Sequence, residues 1–227
     1  MNQEENKRTW LYYSVLIALL IFFTWGFAEV VDALKENEVQ NFDHLIIKEV
    51  QSWINEGRTS RMVFITNLAS VRFLAAGTII ITAFLLFKKR WHYAMFFLLT
   101  VSLGAGLFNK WLKAMFQRQR PEILPLIEQG GYSFPSGHSM GSFIFYGAIA
   151  FLLYELLDKG WSRLIGAAFA VALIFLIGLT RIYLGVHYPS DVIGGYTAGA
   201  AWLTFSMAAF HYFEYRVNKR RRRKLQL

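Results

Sequence analysis

Six stretches of this 227-residue chain, at residues 11–31, 62–87, 93–113, 139–157, 164–180 and 192–210, are rich in apolar residues and poor in charge. A bilayer's hydrocarbon core, about 30 Å thick, takes about 20 helical residues to cross, so each stretch is long enough to span. Lipid cannot satisfy free backbone groups, and all six are therefore expected to be helices. The first follows Lys7 and Arg8 and is longer than the apolar region of a signal peptide, so it reads as a span. Between the first two spans, residues 32–61 are polar, with Val39, Phe42, Leu45, Ile46, Val50, Trp53 and Ile54 recurring at helical spacing. That pattern predicts an amphipathic helix lying on the membrane surface. The expected architecture is all-α: a polytopic membrane protein of six transmembrane helices in one unit, residues 1–227, ending in a basic tail at 214–227.

Composition agrees with this pattern. The chain is 55% hydrophobic and only 17% charged, below the roughly 25% usual in soluble domains. The absence of cysteine excludes disulfides, thiolate metal sites and cysteine nucleophiles. The net charge of +9 comes largely from Arg216, Lys219, Arg220, Arg221, Arg222, Arg223 and Lys224 just beyond the last apolar stretch. Such a cluster suits an anchor on anionic phospholipid and argues against nucleic-acid binding, for which no basic groove is legible. With six crossings, Lys7 and Arg8, Lys88 to Arg90, Lys159 and Arg163, and the C-terminal cluster all share one side, which the positive-inside rule makes cytoplasmic. Both termini are then cytoplasmic, and residues 32–61, 113–138 and 181–191 face outward. The compact plan and basic tail suit a bacterial plasma membrane.

The outward segments 113–138 and 181–191 hold all four prolines and the chemistry-bearing residues. Two spans separate them, so they meet on the same face whatever the first half of the chain does. Lys113 precedes Arg120-Pro121 by seven residues, a spacing that puts both cations on one helical face. Pro135-Ser136-Gly137-His138 opens the fourth span, where free amides and the helix dipole favour an anion. Arg181, His187 and Asp191 precede the sixth span. At four residues' spacing, Asp191 can hold one imidazole nitrogen and leave the other free to attack phosphorus. Each string has a plainer reading on its own: a headgroup contact, an N-cap, a polar pair at an interface. Together they supply three cations, a helix N-terminus, two histidines and an orienting acid, the set that phosphoryl transfer needs.

These strings resemble the three signatures of the type 2 phosphatidic acid phosphatases, a family that extends to the vanadium haloperoxidases. Thr180 stands where that family usually has serine and keeps the hydroxyl. The resemblance implies that His187 is the nucleophile and that Asp191 orients it. His138 would protonate the leaving lipid oxygen and then activate water. Lys113, Arg120, Ser136, Gly137 and Arg181 would hold the phosphoryl oxygens, without metal or other cofactor. The substrate would be a lipid phosphate or diphosphate in the bilayer: phosphatidylglycerol phosphate, phosphatidate or undecaprenyl diphosphate. A lipid phosphotransferase would use the same residues, and a transporter or sensor would share the basic mouth, although binding alone does not require both histidines. Oligomeric state is not legible in the sequence.

Other notable residues receive plainer assignments. His44, His92 and His211 are read as interfacial or solvated. Arg72, inside the second apolar stretch, is expected to face the bundle, near the phosphate site or an acidic partner, or to snorkel outward, since a charge in lipid is costly. Gly104, Gly106, Gly194, Gly195 and Gly199 are read as close helix contacts, and the outer segment 122–132 as a determinant of selectivity.

Overall fold

The computed structural model describes residues 3–122, 125–158 and 160–224, with side chains left undescribed at 3–9, 218 and 220–224. The side chains of Lys7, Arg8 and most of the C-terminal basic cluster, together with Lys159 and residues 225–227, therefore lie outside the described part.

The described residues form helices without strands: α1 (Gln3–Lys35), α2 (Val39–Gln51), α3 (Glu56–Asn67), α4 (Val71–Phe87), α5 (Trp91–Val101), a π-helical stretch Ser102–Phe108, α6 (Asn109–Phe116), α7 (Gly137–Leu156), α8 (Gly160–Tyr183) and α9 (Pro189–Lys224). Four helices, Trp10–Lys35, Trp91–Phe116, Gly137–Leu156 and Gly160–Tyr183, are long and apolar enough to cross a membrane, and the pair α3–α4 makes a fifth if taken as one bent span. The core runs between α4, α5, α7, α8 and α9 and is lined by Phe97, Met140, Ile144, Ala148 and Ile177, all fully buried.

The second apolar stretch is not one continuous helix. α3 and α4 meet at a 44° bend, because Ser70 leaves helical geometry and caps the new helix through Phe73 N–H. The carbonyl of Leu68, freed at the break, accepts a hydrogen bond from the Tyr146 hydroxyl at 2.8 Å. Arg72 consequently stands exposed in the first turn of α4 instead of in mid-span.

The third stretch is continuous but widens to a π-helix at Ser102–Phe108. Trp202 from α9 fills the place of a side chain there and donates from Nε1 to the carbonyl of Thr100 at 2.9 Å. A Cβ at Gly104 would lie 2.3 Å from that nitrogen, whereas at Gly106 it would meet nothing within 4 Å, so only Gly104 answers to a close contact.

α2 has two faces. Asp43, Ile47 and Val50 are buried, while Phe42 and Leu45 point outward. The inward face thus includes a carboxylate, for which the polar layer below supplies partners. His92 pairs with Glu214 at 2.5 Å and His211 lies 3.9 Å from Glu155, away from the strings at 113–138 and 181–191; His44 is exposed. The basic segment continues α9 as far as Lys224.

Candidate active site

α6 ends where Gln117 takes a left-handed conformation, and the following segment folds back over the ends of α7 and α8. Lys113 and Arg120 hold it there. The Lys113 ammonium donates to the carbonyls of Tyr132 at 2.5 Å and Ser133 at 3.2 Å. Arg120 donates to the carbonyls of Gly130, Gly131, Tyr132 and Val186. Arg181 is fully buried; its two terminal nitrogens donate to Thr66 Oγ1 and Gln129 Oε1, both at 2.8 Å, and its Nε has no partner.

All three cations are thus held by neutral oxygens, and among the described residues none pairs with a carboxylate. Burying charge without a counter-ion costs several kcal/mol, so this arrangement favours an anion between them. The fourth cation of the region differs: Arg118 reaches Asp191 Oδ1 at 2.7 Å and Asp43 Oδ2 at 2.9 Å, and is neutralised.

The α7 N-terminus faces the same space. Ser136 is the N-cap, its hydroxyl accepting from Ser139 N–H and Ser139 Oγ–H. The oxygen serves the cap, which leaves the hydroxyl's own proton to be donated. The amides of Gly137 and His138 have no partner among the described residues, as the first turn of a helix dictates. Ser136 N–H donates to the carbonyl of Asp191 at 3.0 Å, stitching α7 to α9.

Between α8 and α9 the chain reverses at Gly185, whose φ of 72° is costly for any other residue. The reversal turns His187 inward, where it is buried. Its Nδ1 lies 3.3 Å from Asp191 Oδ2 and 3.3 Å from Ser133 Oγ, and its Nε2 lies 3.3 Å from Arg120 Nη1. Asp191 also accepts from Ser133 Oγ–H and from Tyr188 N–H.

Burial lowers the His187 pKa to about 3, against the opposing pull of Asp191. Burial works to raise the Asp191 pKa, but hydrogen bonds and charges from His187, Arg118 and Ser133 outweigh it and hold the carboxyl below its usual value. The pair is therefore a neutral imidazole beside a carboxylate. With the Nδ1 proton directed at Asp191, the Nε2 lone pair faces the cations.

A cavity of about 440 Å³ ends at this point. Its lining combines Lys113, Arg120, Gln129, Gly137, His138 and His187 with the apolar Val71, Leu74, Ile79, Leu98 and Val101. Of the residues singled out in the sequence, five therefore share a wall, while Ser136, Arg181 and Asp191 stand behind it. Sequence reasoning missed Arg118, Ser133, Thr66, Gln129 and Asp43. Arg118 lies inside the first string and Ser133 two residues before Pro135, but neither position carries a local signal.

The PAP2 superfamily model matches residues 93–215. Phosphatidylglycerophosphatase B of Bacillus subtilis is 34% identical over 192 residues, covering 81% of this chain and 88% of the relative. A putative undecaprenyl-diphosphatase of Escherichia coli is 35% identical over 111 residues, covering 44% and 50%. The crystal structure of a transmembrane PAP2-type phosphatidylglycerolphosphate phosphatase from Bacillus subtilis superimposes with a TM-score of 0.77 at 31% identity, covering 87% of this chain and 96% of that one. With the site geometry, these matches show that the chain belongs to the PAP2 superfamily and is a multi-pass membrane lipid phosphatase.

Proposed function

We propose that the enzyme removes the terminal phosphate of a phospholipid monophosphate of the phosphatidylglycerol phosphate type, at the extracytoplasmic face of a six-span bundle, through a phosphohistidine on His187. The observation that carries this reading is the division of labour at His187: one ring nitrogen faces Asp191, the other opens among cations that have no carboxylate partner.

In the first step the Nε2 lone pair attacks phosphorus, an N–P bond forms and the bond from phosphorus to the lipid oxygen breaks. That oxygen takes a proton from the His138 ring, which enters the step as an imidazolium held by the negative charge of the bound phosphate. In the second step water attacks phosphorus, gives a proton to His138, and the N–P bond breaks to release inorganic phosphate. Lys113 and Arg120, with the Gly137 and His138 amides, bear the charge on the equatorial oxygens, and Arg181 adds its positive charge from behind the wall. Asp191 carries the ring's developing positive charge. Ser136 contributes by fixing the helix end.

The apolar part of the cavity supports a lipid chain approaching sideways between α4 and the α5–α6 helix. The outward-pointing Phe42 and Leu45 of α2 suit a headgroup-level position for that helix. In this reading α9 supplies the sixth span and its basic extension rests on anionic phospholipid at the cytoplasmic face. Phosphatidate and undecaprenyl diphosphate present the same terminal group, and the superfamily relatives named above include a putative undecaprenyl-diphosphatase.

The test is a panel of lipid phosphates given to purified protein and to His187→Ala. Turnover should vanish in the variant while binding of the lipid phosphate survives, and acid-labile, alkali-stable labelled protein should be trapped only in the parent. Parental turnover in the variant rejects the reading. Release of free phosphate separates hydrolysis from transfer to an alcohol, and a chelator control tests the expectation of metal independence.

A further inference from the structure

α2 reaches into the polar layer with a single side chain. Asp43 is 2% exposed, and its carboxylate accepts three hydrogen bonds from two distant segments. Oδ1 accepts from Ser190 N–H at 2.8 Å; Oδ2 accepts from Ser190 Oγ–H at 2.6 Å and from Arg118 Nη2 at 2.9 Å. The two donor residues are themselves linked: Arg118 Nη1 donates to Ser190 Oγ at 2.8 Å as well as to Asp191 Oδ1. The Arg118 guanidinium carbon lies over the ring of Tyr188, 4.0 Å from its centre, a contact that helps hold the guanidinium between the two carboxylates. Asp43, Arg118 and Asp191 thus form one buried group of two negative charges and one positive.

Charge balance gives this arrangement a purpose. A phosphohistidine formed at Nε2 with Nδ1 still protonated leaves a positive ring next to Asp191. Were Arg118 paired with Asp191 alone, that carboxylate would already be neutralised and could offer the ring little. A second carboxylate on Arg118 leaves the group with a net charge of −1, matched to the charge that develops. We propose that Asp43 is a positioning residue for phosphoryl transfer: by sharing Arg118 it keeps the negative charge of Asp191 available to the His187 ring. This rests on the phosphohistidine reading above. It also assigns α2 a role in turnover, since that helix carries Asp43 into the site.

The test uses full-length protein in detergent with the lipid monophosphate that the panel identifies. Asp43→Asn keeps the shape and removes the charge. At a separation of roughly 10 Å and an effective dielectric constant of about 20, losing a unit charge lowers a rate by roughly tenfold. The expected result is kcat down by about that factor, with KM and competitive inhibition by inorganic phosphate unchanged, because the cations that bind the ground state are untouched. Asp43→Asn combined with Arg118→Gln restores the net charge of −1 and should recover kcat above the single variant.

A merely bracing role predicts the opposite, a double variant no better than the single one. That result, a parental kcat in Asp43→Asn, or a joint rise in KM and the phosphate inhibition constant overturns the proposal. So does failure of both variants to fold, which is the behaviour of a brace. His187→Ala run in parallel separates the two readings. If it turns over, the phosphohistidine fails; if it is dead while Asp43→Asn is parental, only the role of Asp43 fails.

Discussion

Substituting Gly195 by alanine tests whether the seam between α7 and α9 sets the catalytic geometry. A Cβ there would lie 2.8 Å from the carbonyl oxygen of Ser136, 3.0 Å from Ser139 Cβ and 3.2 Å from Met140 N. Two of these three atoms are backbone, in a helix start that is itself capped, so no side chain can rotate away. The helices must separate by roughly half an ångström to restore ordinary contact, and overpacking of this kind costs about 1–3 kcal/mol. The displacement falls where Ser136 N–H bonds the Asp191 carbonyl at 3.0 Å, one turn from His187. An error of 1 Å in a reacting centre can cost about a hundredfold in rate, so about half that error should lower kcat by about tenfold. The assay is phosphate release from lipid monophosphate in mixed micelles, alongside thermal unfolding, where a loss of several degrees is expected. Gly106→Ala is the control, because a Cβ there meets nothing within 4 Å. Parental kcat and melting temperature for Gly195→Ala would refute the claim that this contact fixes the site.

Arg120→Ala should raise KM and abolish stabilisation by inorganic phosphate in thermal melts, because it removes a cation that has no carboxylate partner; phosphate stabilisation equal to the parent's would contradict the anion-site assignment. Gln129→Ala leaves the buried Arg181 with one fewer acceptor, and a several-fold loss in kcat/KM is expected, measured on the same lipid. For pH, His187 has a folded pKa of about 3, below its value near 6.5 when unfolded. Between those limits the unfolded state binds a proton that the folded state does not, so stability falls as pH drops below about 6.5. The lowered Asp191 pKa adds a loss in the same direction at lower pH, as its carboxylate is forced to protonate. Unfolding followed from neutral pH down to about 4 should show this decline, and His187→Ala should flatten it; an unchanged slope in the variant would exclude His187 as its source.

Bilayer-length apolar stretches are a local property of the chain, and so the helical class, the long spans and the side-by-side placement of the strings at 113–138 and 181–191 were legible from order and spacing alone. So were Lys113, Arg120, His138, His187 and Asp191, since each sits in a string whose residues chemistry constrains together. What depended on packing was not legible. The break at Ser70 that moves Arg72 out of mid-span needs Tyr146 to receive the Leu68 carbonyl, and the π-helical stretch needs Trp202 at Thr100. Ser136 reads the same in sequence whether its hydroxyl caps a helix or meets a ligand; only the fold shows that its oxygen accepts from Ser139 Oγ–H and caps α7. The group formed by Asp43, Arg118 and Asp191 joins residues 75 and 73 positions apart. No periodicity encodes that meeting, because a buried charge is tolerated only where the fold brings its partners, and that is decided by how α2, the segment after α6 and the start of α9 pack together.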